Sequence, residues 1–253
     1  MAHIAVLGLG NWGTAIARLW LLEGHKVKGW TIEQEVYESI TMSEVNEKYL
    51  PHHPVPGLDA TMHLAEAIEG SEIIVLAVPS SVILDVMEDV LPHLQPGHVL
   101  LDLAKGLAPG KRLISEAIHT RLKEEGKTNP LAVLTGPTIA PEAAGGVMTT
   151  ALVASEDQAI AQRLTQTLST PSFILHPASD PVGAELWGAY KNVVALACGL
   201  VDGLKHVGDL GGDNLKAAIF MSGFKEGCLL LAELGARAEV AFGPAGLGDM
   251  YVT

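Results

Sequence analysis

Residues 3–24 read HIAVLGLGNWGTAIARLWLLEG. Five residues of apolar strand character lead into Gly8-Leu-Gly10-Asn-Trp-Gly13, and an amphipathic helical run follows at once and closes on glycine. The G-x-G-x-x-G spacing is common by chance in a glycine-rich chain. Placed between a buried strand and a helix it has a physical purpose. Gly8 permits the tight turn, Gly10 admits a pyrophosphate close to the backbone, and Gly13 lets helix and strand pack. The helix N-terminus supplies free N–H groups and partial positive charge to those phosphates. The stretch therefore predicts the first β-α unit of a dinucleotide-binding sheet.

The rest of the chain extends this pattern. KVKGW (26–30), EIIVLAV (72–78), HVLLDLA (98–104) and LAVLTG (131–136) are short apolar strands separated by helical or turn-rich segments. TTALVAS (149–155) and SFILHP (172–177) are later strands, flanking the helical EDQAIAQRLTQTL. Continuous apolar strands alternating with helices imply a parallel sheet covered on both faces. From Val182 to Glu239 strand alternation disappears and the residues read as helix, with glycine breaks near 203–212. The boundary falls in HPASDPVG, punctuated by two prolines. The expected organisation is α/β: a Rossmann-type doubly wound sheet over 1–180, then an all-helical domain over 181–253, incomplete in this chain.

Composition narrows the function. The 253 residues hold 16 Lys and Arg against 29 Asp and Glu, a formal charge of −13, with no basic run. Nucleic acid is not expected as a partner on that ground. Cys198 and Cys228 have no metal or redox spacing, and the ten histidines form no ligand motif. No metal site is expected. The apolar run 192–201 is about half of a bilayer span. With no leader ahead of the first strand, a cytoplasmic protein without a membrane span is expected.

In open α/β sheets ligands lie beyond the carboxyl ends of the strands. Those ends carry Val78-Pro79-Ser80, Lys105-Gly106 and Gly136-Pro137-Thr138. A lysine directly after a buried strand is the most informative, because rigid backbone places its charge. The second strand is followed by Thr31-Ile32-Glu33, with no arginine. An acid there accepts ribose hydroxyls and leans the expectation from NADP toward NAD, although Glu33 also fits a solvated first-turn acid. In ELWGAYKNVVALACGLV (185–201) the single cation is Lys191, and the residues after Asn192 are apolar on every side, which implies a buried helix. Two readings of Lys191 stand: a buried ammonium that is paired or shifted and can serve as a general acid, or a lysine at an exposed helix start, snorkelling to water.

Taken in order, GLGNWGTA (8–15), NEKYLP (46–51), AVPS (77–80), AKGL (104–107), LTGPTIAPE (134–142), ELWGAYKNVVALACGLVDGL (185–204), DNLKAAI (213–219) and AGLGDMYVT (245–253) resemble the NAD(P)-dependent glycerol-3-phosphate dehydrogenases of bacterial type. The resemblance covers essentially the whole chain. It implies interconversion of dihydroxyacetone phosphate and sn-glycerol 3-phosphate with NAD or NADP, feeding glycerophospholipid synthesis. It implies a catalytic set of Lys191, the catalytic lysine, its neighbour Asn192, its carboxylate partner Asp249, and Lys105 near substrate and nicotinamide, with Lys105, Lys191 and Asp249 also touching substrate. Gly136, Thr138 and Thr253 fall at substrate positions; Gly8, Gly10, Asn11, Trp12, Gly13, Pro79 and Ala140 fall, with Lys105, at cofactor positions.

The chain departs from the family in places. The stretch 204–214 is longer, AIFMSGFKEG stands where relatives carry Thr-Arg, and Thr138 and Pro141 replace Ser and Lys. Relatives continue beyond the position of Thr253 into an Arg-Asn pair that grips the substrate phosphate. A polypeptide ending at Thr253 would be expected to turn over poorly. Two further readings are carried: a nucleotide-binding protein that does no chemistry, and a dehydrogenase of another small ketone or hydroxy acid. An open helical domain is expected to leave apolar surface for further helices or a second subunit, hence a possible homodimer.

Overall fold

The computed structural model describes residues 1–207 and 211–253. In chain order the sheet elements are β1 (His3–Leu7), β2 (Lys26–Trp30), β3 (Asp59–Thr61), β4 (Ile73–Leu76), β5 (Val99–Asp102), β6 (Leu131–Thr135), β7 (Thr149–Ala154) and β8 (Phe173–Ala178). Between them lie α1 (Asn11–Leu22), α2 (Gln34–Ser43), α3 (Leu64–Ile68), α4 (Ile83–Val90), α5 (Ile114–Glu124), α6 (Ala140–Ala144) and α7 (Gln158–Leu168). The helices α8 (Pro181–Lys205), α9 (Asp213–Glu233), α10 (Ala238–Ala241) and α11 (Asp249–Val252) follow. Residues 208–210, inside the stretch expected to be lengthened, lie outside the described residues.

The strands form one sheet in the order β3-β2-β1-β4-β5-β6-β7-β8. From β1 the chain works outward to β2 and β3, then crosses to β4 on the other side. The carboxyl ends of β1 and β4 therefore flank the switch point where such sheets bind ligands. Ile4, Val6, Trp20 and Phe173 fill one face, and Leu7, Ile74, Met87, Leu100 and Ile118 the other. Both faces of the central strands are dry, so β4, β5 and β6 run as apolar blocks, whereas the edge strand β8 alternates buried and exposed residues.

Two expectations are corrected. The sheet is mixed, because β7 runs antiparallel to β6, with Thr135 opposite Leu152, and β8 then runs parallel to β7. The intervening helix α6 has five residues and does not run the length of a strand, so the chain turns back instead of crossing over. The short edge strand β3 also lies in a stretch with no apolar block to announce it.

The second correction concerns α8, which is not buried on every side. Asp180 begins it, accepting the Gly183 N–H at 2.9 Å and the Arg237 N–H at 2.7 Å, so one carboxylate caps the helix and ties it to the entry of α10. Trp187, Val194 and Cys198 face inward against Leu152, Leu231 and Val240, and Val201 is buried as well. Val193, Leu196 and Leu200 are 63–70% exposed on the opposite face. Helix α9 and the sheet cover one side of α8, and an apolar sequence does not tell which sides have neighbours.

The turn between β1 and α1 is the tightest packing in the sheet. Gly8 has φ +107°, and a Cβ there would lie 2.6 Å from the Ala77 carbonyl oxygen. A Cβ on Gly13 would fall 1.9 Å from the Gly8 carbonyl oxygen, where only backbone movement relieves it. Gly13→Ala should therefore lower the unfolding free energy by about 2 kcal/mol in urea denaturation. An unchanged midpoint and slope would show that the turn is looser than this geometry.

Candidate functional site

The ligand edge begins at α1. Its N-cap residue, Gly10, is extended and offers no side-chain cap, and the first turn carries no acid. The first-turn N–H groups and the positive end of the helix dipole are thus left for an outside acceptor. Nothing lies within 4 Å of the Cβ position at Gly10, so the backbone is open to a close ligand. Asn11 is exposed, and Trp12 packs with Ala15, Leu50, Ala140 and Ala144. That cluster brings Ala140 to the loop from a distant part of the chain. Pro79 is exposed just beyond β4, next to Val78, which crowds Gly8. An uncapped helix start, an open glycine and a tight turn fit a pyrophosphate.

Further along the same edge, three side chains converge. Lys105 leaves the turn after β5, Lys191 projects from α8, and Asp249 opens α11. The Lys191 ammonium donates to Asp249 Oδ1 at 2.6 Å, and the Lys105 ammonium donates to Oδ2 at 2.9 Å. Asp249 is 1% exposed and Lys191 6%. Lys105 also donates to the Gly136 carbonyl at 2.8 Å and to Thr138 Oγ1 at 3.1 Å. Lys191 reaches Thr253 Oγ1 at 2.8 Å, and that hydroxyl donates to the Asp249 carbonyl at 2.7 Å. Burial lowers the pKa of Lys105 to about 8; Asp249 opposes the shift and the nearby Lys191 adds to it. One carboxylate thus holds two ammonium groups at the rim of the sheet, and one of them is close to losing its proton at neutral pH.

Beneath this rim the sheet buries acids. Asp102, at the end of β5, is fully buried; its Oδ1 accepts the Ala104 N–H at 2.9 Å and shapes the turn that delivers Lys105. Burial pushes its carboxyl well above the ordinary range, and its Oδ2 has no partner among the described residues. Glu185 of α8 accepts the Ser115 N–H at 3.0 Å and also pairs with the Ser115 hydroxyl. It caps α5 from another helix and anchors the segment carrying Lys191 against the sheet.

Lys105, Gly136, Thr138, Lys191, Asp249 and Thr253 come together, and Gly8, Gly10, Asn11, Trp12, Gly13 and Ala140 gather at the glycine loop. Asn192 joins neither group. It is exposed, and its amide turns back along α8 toward the Gly188 and Ala189 carbonyls at 3.4 and 3.5 Å. The snorkelling reading of Lys191 does not hold, since its ammonium is buried and paired. Asp102 and Asp180 escaped sequence reasoning. The lone acid in the apolar HVLLDLA was a signal for the first; Asp180, inside apparent punctuation, gave none.

A glycine loop at the switch point, with a lysine pair sharing a buried acid beyond the neighbouring strands, defines a dinucleotide-dependent dehydrogenase architecture. Residues 3–161 match the NAD-dependent glycerol-3-phosphate dehydrogenase N-terminus, and residues 180–253 match the corresponding C-terminus. The chain belongs to the NAD-dependent glycerol-3-phosphate dehydrogenase family. It is 40% identical over 253 residues to glycerol-3-phosphate dehydrogenase [NAD(P)+] of Rhodospirillum rubrum, across 99% of this chain and 70% of that one. Among solved structures, the Coxiella burnetii glycerol-3-phosphate dehydrogenase superposes with a TM-score of 0.90 at 34% identity, covering 99% of this chain and 75% of the other. The Saccharomyces cerevisiae enzyme does so with 0.83 at 28% identity, covering 99% and 76%.

The depressed pKa of Lys105 has a stability consequence. Between pH 8 and the ordinary lysine value of 10.5 the unfolded chain binds the extra proton, so stability rises with pH through that window. The penalty is complete below pH 8 and gone above 10.5. Lys105→Met should remove it, so that the unfolding free energy of wild type gains on the variant by roughly 1–3 kcal/mol across the window. Parallel curves for the two proteins would contradict the lowered pKa.

Proposed function

We propose that the chain interconverts dihydroxyacetone phosphate and sn-glycerol 3-phosphate with NAD or NADP. The observation that carries this reading is Asp249, buried between the ammonium groups of Lys105 and Lys191 at the ligand edge. The uncapped start of α1, with Gly8, Gly10, Asn11, Trp12 and Gly13, would hold the pyrophosphate, and Pro79 and Ala140 would border the nicotinamide half. When bound, the dinucleotide supplies or accepts the hydride.

This chain's residues handle the charge that hydride transfer leaves on the ketone oxygen. Lys191, fixed by Asp249 and the Thr253 hydroxyl, stabilises the developing oxyanion and delivers the proton; in the reverse direction it receives one. Asp249 keeps the ammonium aimed and prevents two neighbouring cations from driving each other apart. Lys105 adds positive potential, and Gly136 and Thr138 hold its ammonium in line with the substrate. Asn192, turned back on its own helix, takes the part of a helix-surface neighbour rather than a proton donor.

We divide the chain into a cofactor domain over 1–180 and a substrate domain over 181–253. The exposed Val193, Leu196 and Leu200 on α8, with Met221 and Leu229 on α9, support a homodimer through the helical face. Among the described residues no helix is long and apolar enough to cross a membrane. We assign the protein to the cytoplasm.

The decisive experiment follows NADH oxidation with dihydroxyacetone phosphate as the ketone. Lys191→Ala should lower kcat by about three orders of magnitude while leaving NADH affinity within about twofold. Asp249→Asn should also lower kcat, and it should move the Lys105 pKa below 8 because the opposing charge is lost. NADH binding without turnover by wild type would leave a nucleotide-binding protein. Turnover of other small ketones alone would shift the substrate class.

A further inference from the structure

The glycine turn is held from inside by residues that the chemistry above does not use. Its backbone polar groups divide into those that are paired and one that is left over. The Gly8 N–H donates to the Trp30 carbonyl at 2.9 Å, and the Gly10 carbonyl accepts the Thr14 N–H at 3.0 Å. The Leu9 carbonyl, between them, turns into the protein. It accepts the Asn46 amide at 2.8 Å and the Thr14 hydroxyl at 3.1 Å. The Gly10 N–H has no backbone acceptor among the described residues.

Asn46 opens the NEKYLP stretch, 37 residues along the chain from Leu9. Its side chain is fully buried and fully used. The amide donates to the Leu9 carbonyl and to Thr14 Oγ1, both at 2.8 Å, and Oδ1 accepts the Tyr49 N–H at 3.1 Å. The directions agree, because the Thr14 hydroxyl gives its own hydrogen to Leu9 and accepts from Asn46. The turn that Oδ1 caps ends in Leu50, which packs with Trp12, Ala15, Ala140 and Ala144. The Leu9–Gly10 peptide is trans. In a planar trans peptide the carbonyl of one residue and the N–H of the next point in opposite directions. Two buried donors therefore draw the Leu9 oxygen inward and turn the Gly10 N–H away from the interior. Around Gly10 the loop is open, and a Cβ there would meet nothing within 4 Å. Without these donors the peptide is free to flip and present a carbonyl oxygen, which repels a phosphate.

We propose that Asn46, with Thr14, is a positioning residue for the pyrophosphate: it locks the Leu9–Gly10 peptide so that Gly10 presents an N–H, and not a carbonyl oxygen, to the ligand. The inference rests on the dinucleotide reading above, which supplies the pyrophosphate. Asn46 is buried beneath the turn and acts only through this peptide.

The test is equilibrium titration with three ligands: NADH, ADP-ribose, which keeps the pyrophosphate without the nicotinamide, and adenosine, which has neither. Asn46→Ala should weaken NADH and ADP-ribose by the same factor, about tenfold, and hold adenosine within about twofold. Asn46→Asp should weaken them further, because a carboxylate cannot donate and sets an oxygen against the Leu9 oxygen. Thr14→Val should weaken both severalfold. With dihydroxyacetone phosphate as the ketone, Asn46→Ala should raise KM for NADH while kcat at saturating NADH stays within about twofold. In wild type, ADP-ribose should shift the Gly10 amide proton resonance and slow its exchange with solvent. Equal weakening of adenosine and ADP-ribose by Asn46→Ala would show that the residue merely holds the fold, and it overturns the proposal. A Gly10 amide that ADP-ribose leaves unchanged overturns it as well. If wild type binds neither NADH nor ADP-ribose, the dinucleotide reading fails and this proposal falls with it.

Discussion

Asp249 is an acid with almost no exposure, and it survives there because two ammonium groups share it. A buried carboxylate with no partner is costly, and so are two buried lysines side by side. Together they are mutually compensating, and each of the three comes from a different part of the fold: the turn after β5, the middle of α8 and the start of α11. Removing Asp249 leaves two neighbouring ammonium groups with no counter-charge. The ion triad therefore ties the helical part of the chain to the sheet at the place where the chemistry is proposed to occur. Its cost shows in Lys105, which is held close to deprotonation.

The supports of this triad are buried and polar as well. Asp102 sets the turn that delivers Lys105, Glu185 clamps α8 to the start of α5, and Asp180 caps α8 and ties it to the entry of α10. Each acid satisfies backbone N–H groups that would otherwise end in a dry interior. At the other end of the site the start of α1 has no side-chain cap, and an anionic ligand there would complete its N–H groups.

Much of this was legible in the amino-acid order. Strands β1, β4, β5, β6 and β7 are apolar blocks buried on both faces, so burial and sequence agree there. Lys105 and Lys191 stood out because a cation beside a buried strand or in an apolar helix is expensive. The reversed direction of β7 was not legible, since an apolar block reads the same in either direction; what decides it is the shortness of α6. Nor was the exposure of Val193, Leu196 and Leu200, because an all-apolar helix gives no sign of which side lacks a neighbour. The resemblance put Asn192 in the catalytic set, next to Lys191. Successive helical residues diverge by about 100°, and neighbours in sequence need not share a face.

The sequence by itself determined the β-α-β alternation, the glycine turn, the helical second part and the residue types able to carry charge. These follow from local periodicity and from backbone conformations that only certain residues adopt. Tertiary structure alone decided that Asp249 lies between Lys105 and Lys191, that Asn192 faces away, and that Asn46 reaches the Leu9 carbonyl in the glycine loop. Such meetings join residues far apart in the chain. They depend on how helices seat on the sheet, which local pattern does not encode.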